Sequence, residues 1–298
     1  MYASKRQGGT GVKTARKLTA LLLAAVLVLC LTGCSAFGTK MARAWQKLDK
    51  VDSLQMKIVD DLIVDVTAGG ATLPVAVSLS GTVDLYLNPL QARADLTLGW
   101  PGEELKLLAY VQEEGEAVNV YTNLNGGAVW EKASYTASAP RLSPNGLRYV
   151  IEGAETFREV EQPGVTDGSF RFDGQLPGSF IQGLLELYEV EERIERDFGL
   201  DVPDGLFTNL NSIPASLWIS KEGELDLIVL EPTAFLNGLM PKLFSPFRSA
   251  SGLNQLPLEH TVEANQIILQ LGAFDELPML EIPEEVLAPW GDGAMDWE

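Results

Sequence analysis

Histidine and cysteine are almost missing from this chain: one His and two Cys among 298 residues. A general base needs a positioned nucleophile and an orienting partner, and His260 has neither a second histidine nor a nucleophilic-serine motif to work with. It shares a strand face with Leu258 and Val262 and reads as a packed or edge histidine. With so few thiols, cysteine zinc sites and thiol catalysis are excluded as well. Cationic side chains are also scarce, 22 Lys plus Arg against 41 Asp plus Glu. That balance repels phosphate backbones, so no nucleic-acid partner is expected. The acidic runs Glu113-Glu114-Gly115-Glu116 and Asp201-Val202-Pro203-Asp204-Gly205 lack the ligand spacing of a calcium loop and read as solvated turns. Glu186, Glu189, Glu191, Glu192 and Glu195, beside Arg193 and Arg196, form an ordinary exposed helix face. No catalytic residue, metal or cofactor is expected, and no enzyme. Hydrophobic residues at 46% nevertheless supply a sizeable core, so the chain folds.

The scarce cations are unevenly placed. Residues 1–33 hold Lys5, Arg6, Lys13, Arg16 and Lys17 and no acid, so the rest carries 17 cations against 41 acids, a net charge near −24. An apolar run from Leu18 to Leu31 follows, broken only by Thr19 and shorter than the ~20 residues that span a bilayer. It ends in Leu31, Thr32, Gly33, Cys34, which resembles the signal-peptidase motif of bacterial lipoproteins. The resemblance implies that Cys34 receives a diacylglycerol, that the chain is cut before it, and that further acyl chains such as palmitate follow. One acyl chain holds only reversibly, but two or more on one cysteine anchor stably. Cys30 leaves with the signal, so no disulfide forms in the mature chain. The expected organisation is a signal peptide at 1–33, a lipidated tether at 34–40, one domain at 41–288 and an acidic tail at 289–298.

Hydrophobic spacing outlines the domain. Met41, Ala44, Trp45, Leu48 and Val51 recur at helical spacing. From Leu54 the period becomes two, through Met56, Ile58, Leu62, Val64 and Val66. After Gly69-Gly70 a second alternation runs from Leu73 to Leu87. Two strands this long stay buried along one face only if the sheet curves round its own core. Gly81 is expected to mark a bend. Further strands are expected at 92–100, 104–112, 117–123, 128–133, 147–152, 168–174, 215–220, 224–230 and 258–271. Turns fall at Glu114-Gly115, Asn125-Gly126 and Glu222-Gly223. The last strand changes phase near Asn265, which predicts a bulge or tight turn. Pro177 opens a helix with an apolar stripe over 180–198. Pro232, Pro241 and Pro246 predict short helical turns over 235–247 in place of one long helix. Asp60 falls on the apolar face of the first strand and reads as a bulge residue pointing outward, ahead of a polar group inside a ligand cavity.

The order of lipobox, leading helix, long meander, helical insertion and hairpin resembles the LolA/LolB/LppX-like superfamily of bacterial lipoproteins. The resemblance is densest at Val83, Asp84, Leu85, Tyr86, Leu87, Asn88, Pro89, at Ala92 to Leu98, and at Ile282-Pro283-Glu284-Glu285. It implies an α+β fold: a curved antiparallel sheet, a half-open β-barrel of about eleven strands, covered by a few helices. It also implies a lipid or other apolar molecule held between sheet and lid, but it carries over no ligand-contacting residue. The alternating strands and apolar helical stretches themselves offer Val83, Leu85, Leu87, Leu96, Leu98, Phe180, Leu184, Phe235, Leu239 and Met240 as candidate cavity or lid residues, with plain core packing as the competing reading.

Two functions from different classes follow as expectations. The first is a membrane-anchored, extracytoplasmic, non-catalytic lipoprotein that binds a hydrophobic small molecule. The second is a structural or sensory module that offers an outer face or sheet edge to another envelope protein. A monomer is expected. Replacing Cys34 by Ser (Cys34→Ser) should remove the lipid mass from the mature protein and release it to the soluble fraction, as read by intact-mass spectrometry and fractionation; a variant that stays on the membrane contradicts the anchor.

Overall fold

The computed structural model describes residues 36–136, 157–161, 169–187, 205–250 and 258–287, apart from positions 49, 69, 88, 116 and 128. The signal peptide, Cys34, the expected strand at 147–152, the helix beyond Leu187 and the acidic tail lie outside these residues.

Alternation makes the strands, and the strands make one curved sheet. Its eleven strands are β1 (Ser53–Ala68), β2 (Ala71–Leu87), β3 (Leu90–Trp100), β4 (Glu103–Glu114), β5 (Ala117–Leu124), β6 (Glu131–Thr136), β7 (Arg158–Val160), β8 (Phe170–Leu176), β9 (Ile213–Ile219), β10 (Leu225–Leu230) and β11 (Leu258–Gly272). They pair antiparallel in the order β6-β5-β4-β3-β2-β1-β11-β10-β9-β8-β7, so the sheet does not close. Among the described residues four helices accompany it: α1 (Ala36–Leu48), α2 (Gly178–Leu187), α3 (Thr233–Ala250) and the single turn α4 (Glu284–Leu287). The architecture is mostly sheet, less balanced than the expected α+β mixture.

The turn residues behave as their chemistry requires. Asn125 and Gly126 take φ of 54° and 66°, the left-handed conformation that these two residue types tolerate best. The chain then runs on to Glu131 before β6 begins, later than the expected Ala128, because the Asn123 amide donates to the Gly127 and Val129 carbonyls and holds that stretch out of the ladder. The expected phase change in the last strand is a bulge. Ile63 pairs with Ala264 and Val64 with Val262, which leaves Glu263 as the extra residue of β11.

Three local expectations are corrected. First, α1 begins at Ala36, inside the stretch read as tether, and ends at Leu48, short of Val51. Met41, Ala44 and Leu48 are its buried face, so packing sets its extent. Second, α3 runs unbroken through Pro241 and Pro246. Each proline removes one intrahelical bond, and the helix persists because it is pinned to β11: the Asn237 amide donates to the Val262 carbonyl at 2.8 Å and accepts from the Val262 N–H at 2.7 Å. Third, β7 is a strand that the spacing did not announce. It pairs with the edge of β8 through Arg158, Glu159 and Val160.

The main core lies under the helices. Met41, Ala44 and Leu48 of α1 meet Leu54, Phe157, Phe172, Leu176, the alternate residues Ile213, Ala215, Leu217 and Ile219 of β9, and Leu225, Ile228 and Leu271. Phe157 lies against Gly174, where any Cβ would collide with its ring. The other face of the sheet is held by the C-terminal strap. Asp275 accepts from the N–H groups of Asp52 and Ser53 at 2.7 and 3.2 Å, and Tyr86 donates to the Pro278 carbonyl. Val286, fully buried, then packs with Leu280 and Ile282 against Tyr110, Tyr121 and Trp130.

Truncating Phe172 to Ala should cost about 3–5 kcal/mol in chemical denaturation, whereas Leu98→Ala, half-buried and in no core cluster, should cost under about 1.5 kcal/mol. Equal costs would contradict a helix-side core that stops short of Leu98.

Candidate functional site

Register fixes which residues share the helix-bearing face. Leu54, Met56, Ile58, Asp60, Leu62 and Val64 alternate on β1, opposite Leu85, Val83, Gly81, Leu79, Val77 and Val75 of β2. The rows continue outward as Leu79–Leu98–Leu105, Gly81–Leu96–Leu107, Val83–Ala94–Ala109 and Leu85–Ala92–Val111. Side chains thus line up strand to strand in an apolar floor across β2, β3 and β4.

That face is divided. Over β7 to β11 and the near part of β1 it is packed by α1, α2 and α3. Over β2 to β4, Val77, Leu79, Val83, Leu96, Leu98, Leu105 and Leu107 are half-buried and belong to none of the core clusters formed by the described residues. Gly81 sits in the middle of this floor with φ of 154°. A Cβ there would strike the Asp95 carbonyl, and the Leu96 side chain lies over the space that the glycine leaves open.

The candidate residues therefore separate. Val83, Leu96 and Leu98 line the floor, outside the core clusters of the described residues. Leu85 and Leu87 pack against the main core, as does Phe235, which with Leu239 also seals a small cluster around Leu206 and Phe207. Met240 is half-buried beside them. Phe180 and Leu184 are on α2, and their side chains lie outside the described residues. The described residues form two depressions. One of about 250 Å³ lies between α1 and the β10 end, lined by Leu48, Lys47, Glu224 and Phe274 among others. A shallower one of about 550 Å³ lies at Leu62, Val77 and Trp100. Val83, Leu85 and Phe235 line neither, whereas Val77 of the floor borders the second.

Asp60 is not the bulge residue it was expected to be. It stays in register, opposite Leu79 on one side and Ile267 on the other, and faces the helix-bearing side. The bulge lies further along, and its effect is to bring Asn265 onto the same face. Asn265 is 5% exposed and its amide nitrogen donates to the Asp60 carboxylate at 2.6 Å and to the Asp61 carbonyl at 3.3 Å. Thr233, at the start of α3, accepts from the Asn265 N–H at 2.9 Å. Burial pushes the Asp60 carboxyl above the usual aspartate range; the Asn265 hydrogen bond opposes this and the nearby Asp61 charge adds to it. Sequence spacing had flagged Asp60 as a polar interruption, but nothing in it paired Asp60 with a residue 205 positions away.

His260 stands opposite Val66 on β11. Among the described residues no group of three or more His, Cys, Asp or Glu is arranged to hold a metal ion, and no helix is long and apolar enough to cross a membrane.

No protein-family model matches the sequence, and no curated protein matches it. Among solved structures, a DUF1329 family protein from Desulfovibrio piger aligns at 8% identity over 80% of this chain and 92% of that one, with a TM-score of 0.21. A LolA superfamily protein from Nitrosomonas europaea aligns at 9% identity over 84% of this chain and 96% of that one, with a TM-score of 0.17.

The raised Asp60 value has a signed consequence. Its folded form holds a proton more tightly than its unfolded form, so its contribution to stability is full below about pH 4 and is lost as pH rises through the folded value. Asp60→Asn should match the wild-type melting temperature near pH 3 and exceed it at pH 7, in a series of calorimetric scans. A variant less stable at pH 7 would show that the carboxylate is net stabilising.

Proposed function

We propose that this protein is a membrane-anchored, extracytoplasmic lipoprotein of LolA-like fold that holds a lipid or other hydrophobic molecule against the helix-bearing face of its sheet, without catalysis. The observation that carries this reading is the row of half-buried aliphatic side chains over β2, β3 and β4, continuous with a packed core yet outside it. A contiguous row of partly accessible aliphatic side chains that joins no core cluster of the described residues offers a hydrophobic ligand the apolar contact it needs. The lipobox supports the anchor, and the dearth of histidine and thiol supports the absence of catalysis.

A second reading, an envelope-protein interaction module, is favoured by one feature. Among the described residues β6 ends the sheet, and its residues 131–134 are exposed. An edge strand offers unpaired backbone groups to an incoming strand.

The discriminating measurement is mass spectrometry of an organic extract of the purified protein. The first reading expects a copurified amphiphile whose yield falls about tenfold in Leu98→Gln, the equivalent of about 1.4 kcal/mol of lost apolar contact. An extract free of lipid, with a partner captured at β6, would favour the second.

A further inference from the structure

The floor described above is apolar except at one place, and that place contains acceptors and no free donor. Asp60 lies at the seam between the helix-covered half and the open half, ringed by Ile58, Leu62, Leu79 and Ile267 on its own face. A carboxylate only accepts. Asn265 has already committed its amide nitrogen, to Asp60 and to the Asp61 carbonyl. Its side-chain oxygen is buried and meets no hydrogen-bond donor among the described residues. Turning the amide over would not help, since the oxygen would then face the Asp60 and Asp61 oxygens. A buried acceptor left unmatched costs as much as a lost hydrogen bond, and a carboxylate on an apolar floor adds a desolvation cost.

Both costs fall when a donor arrives. We propose that Asp60 and Asn265 form the head-group subsite of the apolar floor, and that the ligand is an amphiphile whose polar end donates hydrogen bonds: an amine or a hydroxyl, and not a carboxylate or phosphate. This rests on the hydrophobic-ligand reading above and sharpens it. The chemistry is selective in both directions. An ammonium or hydroxyl satisfies the acceptors, and an ammonium also neutralises Asp60. An anionic head would add a like charge beside Asp60 and Asp61 and leave the Asn265 oxygen unmatched. The site is preorganised, because Asn265 is fixed through its backbone to Thr233 and the neighbouring Val262 is clamped by Asn237.

The test is displacement of the apolar dye Nile red from the purified protein by laurylamine, lauryl alcohol, methyl laurate and laurate, which share a chain length and differ at the head. Laurylamine and lauryl alcohol should displace the dye at about tenfold lower concentration than laurate, the size of one charge-assisted hydrogen bond. Asp60→Asn, which keeps shape, should weaken laurylamine about tenfold and leave methyl laurate unchanged. If Nile red does not bind, the hydrophobic-ligand reading falls and this inference falls with it. If the dye binds but laurate competes as well as laurylamine, or if Asp60→Asn leaves laurylamine unchanged, the floor survives and the subsite is overturned. The ranking on the unaltered protein decides the matter even if the variant folds poorly.

Discussion

Everything in this molecule hangs on β1. Its sixteen residues are paired on both sides, with β2 over the whole length from Ser53 to Ala68 and with β11 from Gln55 to Ala68. The first of these pairings is local, its last pair being Ala68 with Ala71. The second joins the first strand of the chain to the last. Long-range pairing requires the loop entropy of nearly the whole domain to be offset before it is secured. The contact has help at its end, where Asp275 accepts from the N–H groups of Asp52 and Ser53 at the start of β1 and the Asp275 N–H returns a bond to the Ser53 carbonyl. Remove β1 and the sheet becomes two unrelated sheets, β2 to β6 and β7 to β11.

Because the side-chain period of a strand is two, this seam also decides which residues face the helices. Val262 and Asn265 are three apart, yet both point to that side, since the extra residue Glu263 restores the phase between them. Without the bulge, either Leu258 to Val262 or Ile267 to Leu271 would present its polar alternates to the core. The same irregularity turns Asn265 inward next to Asp60. A single inserted residue therefore keeps the apolar stripe continuous and also introduces the one polar pair on it. The two faces of the sheet are served differently. Three helices press on one half of one face, and the strap from Ala273 to Leu287 crosses the opposite face at β4 and β5, ending in the fully buried Val286.

Local chemistry was well displayed in the sequence. Strict alternation disclosed β1 to β5, β9 and β10, and Glu114-Gly115, Asn125-Gly126 and Glu222-Gly223 marked their turns, because strand period and positive φ are properties of a few adjacent residues. What stayed hidden depends on distant partners. Arg158-Glu159-Val160 has no alternation to reveal it and is a strand only because β8 offers an edge. Pro241 and Pro246 argued against a continuous helix, and anchoring of Asn237 on Val262 overrode them. Ile282-Pro283-Glu284-Glu285 was visible as a family-like ending. Its structural task, seating Val286 against Tyr110 and Tyr121, lies far away in sequence. The candidate site was legible in the same partial way. Its aliphatic rows could be read from alternation, whereas the division into a packed half and an open half could not, since it is decided by where the helices land.

Asn265 connects the two halves of the argument. Its backbone holds the first residue of α3, its amide holds Asp60, and its remaining oxygen is the unmatched acceptor. A polar residue placed so deeply weakens a core unless every group is satisfied, and a leucine there would pack against Leu62 at less cost. Stability alone therefore does not explain the choice. The bond to Thr233 gives a structural return, because it positions the start of the helix that covers β11, but the backbone makes that bond and any residue type would supply it. What the side chain adds is directed at Asp60 and the Asp61 carbonyl. In the proposed reading, the hydrogen bonds that receive a ligand's head and those that seat α3 therefore run through one residue, so occupancy of the floor and the position of its neighbouring helix are physically coupled.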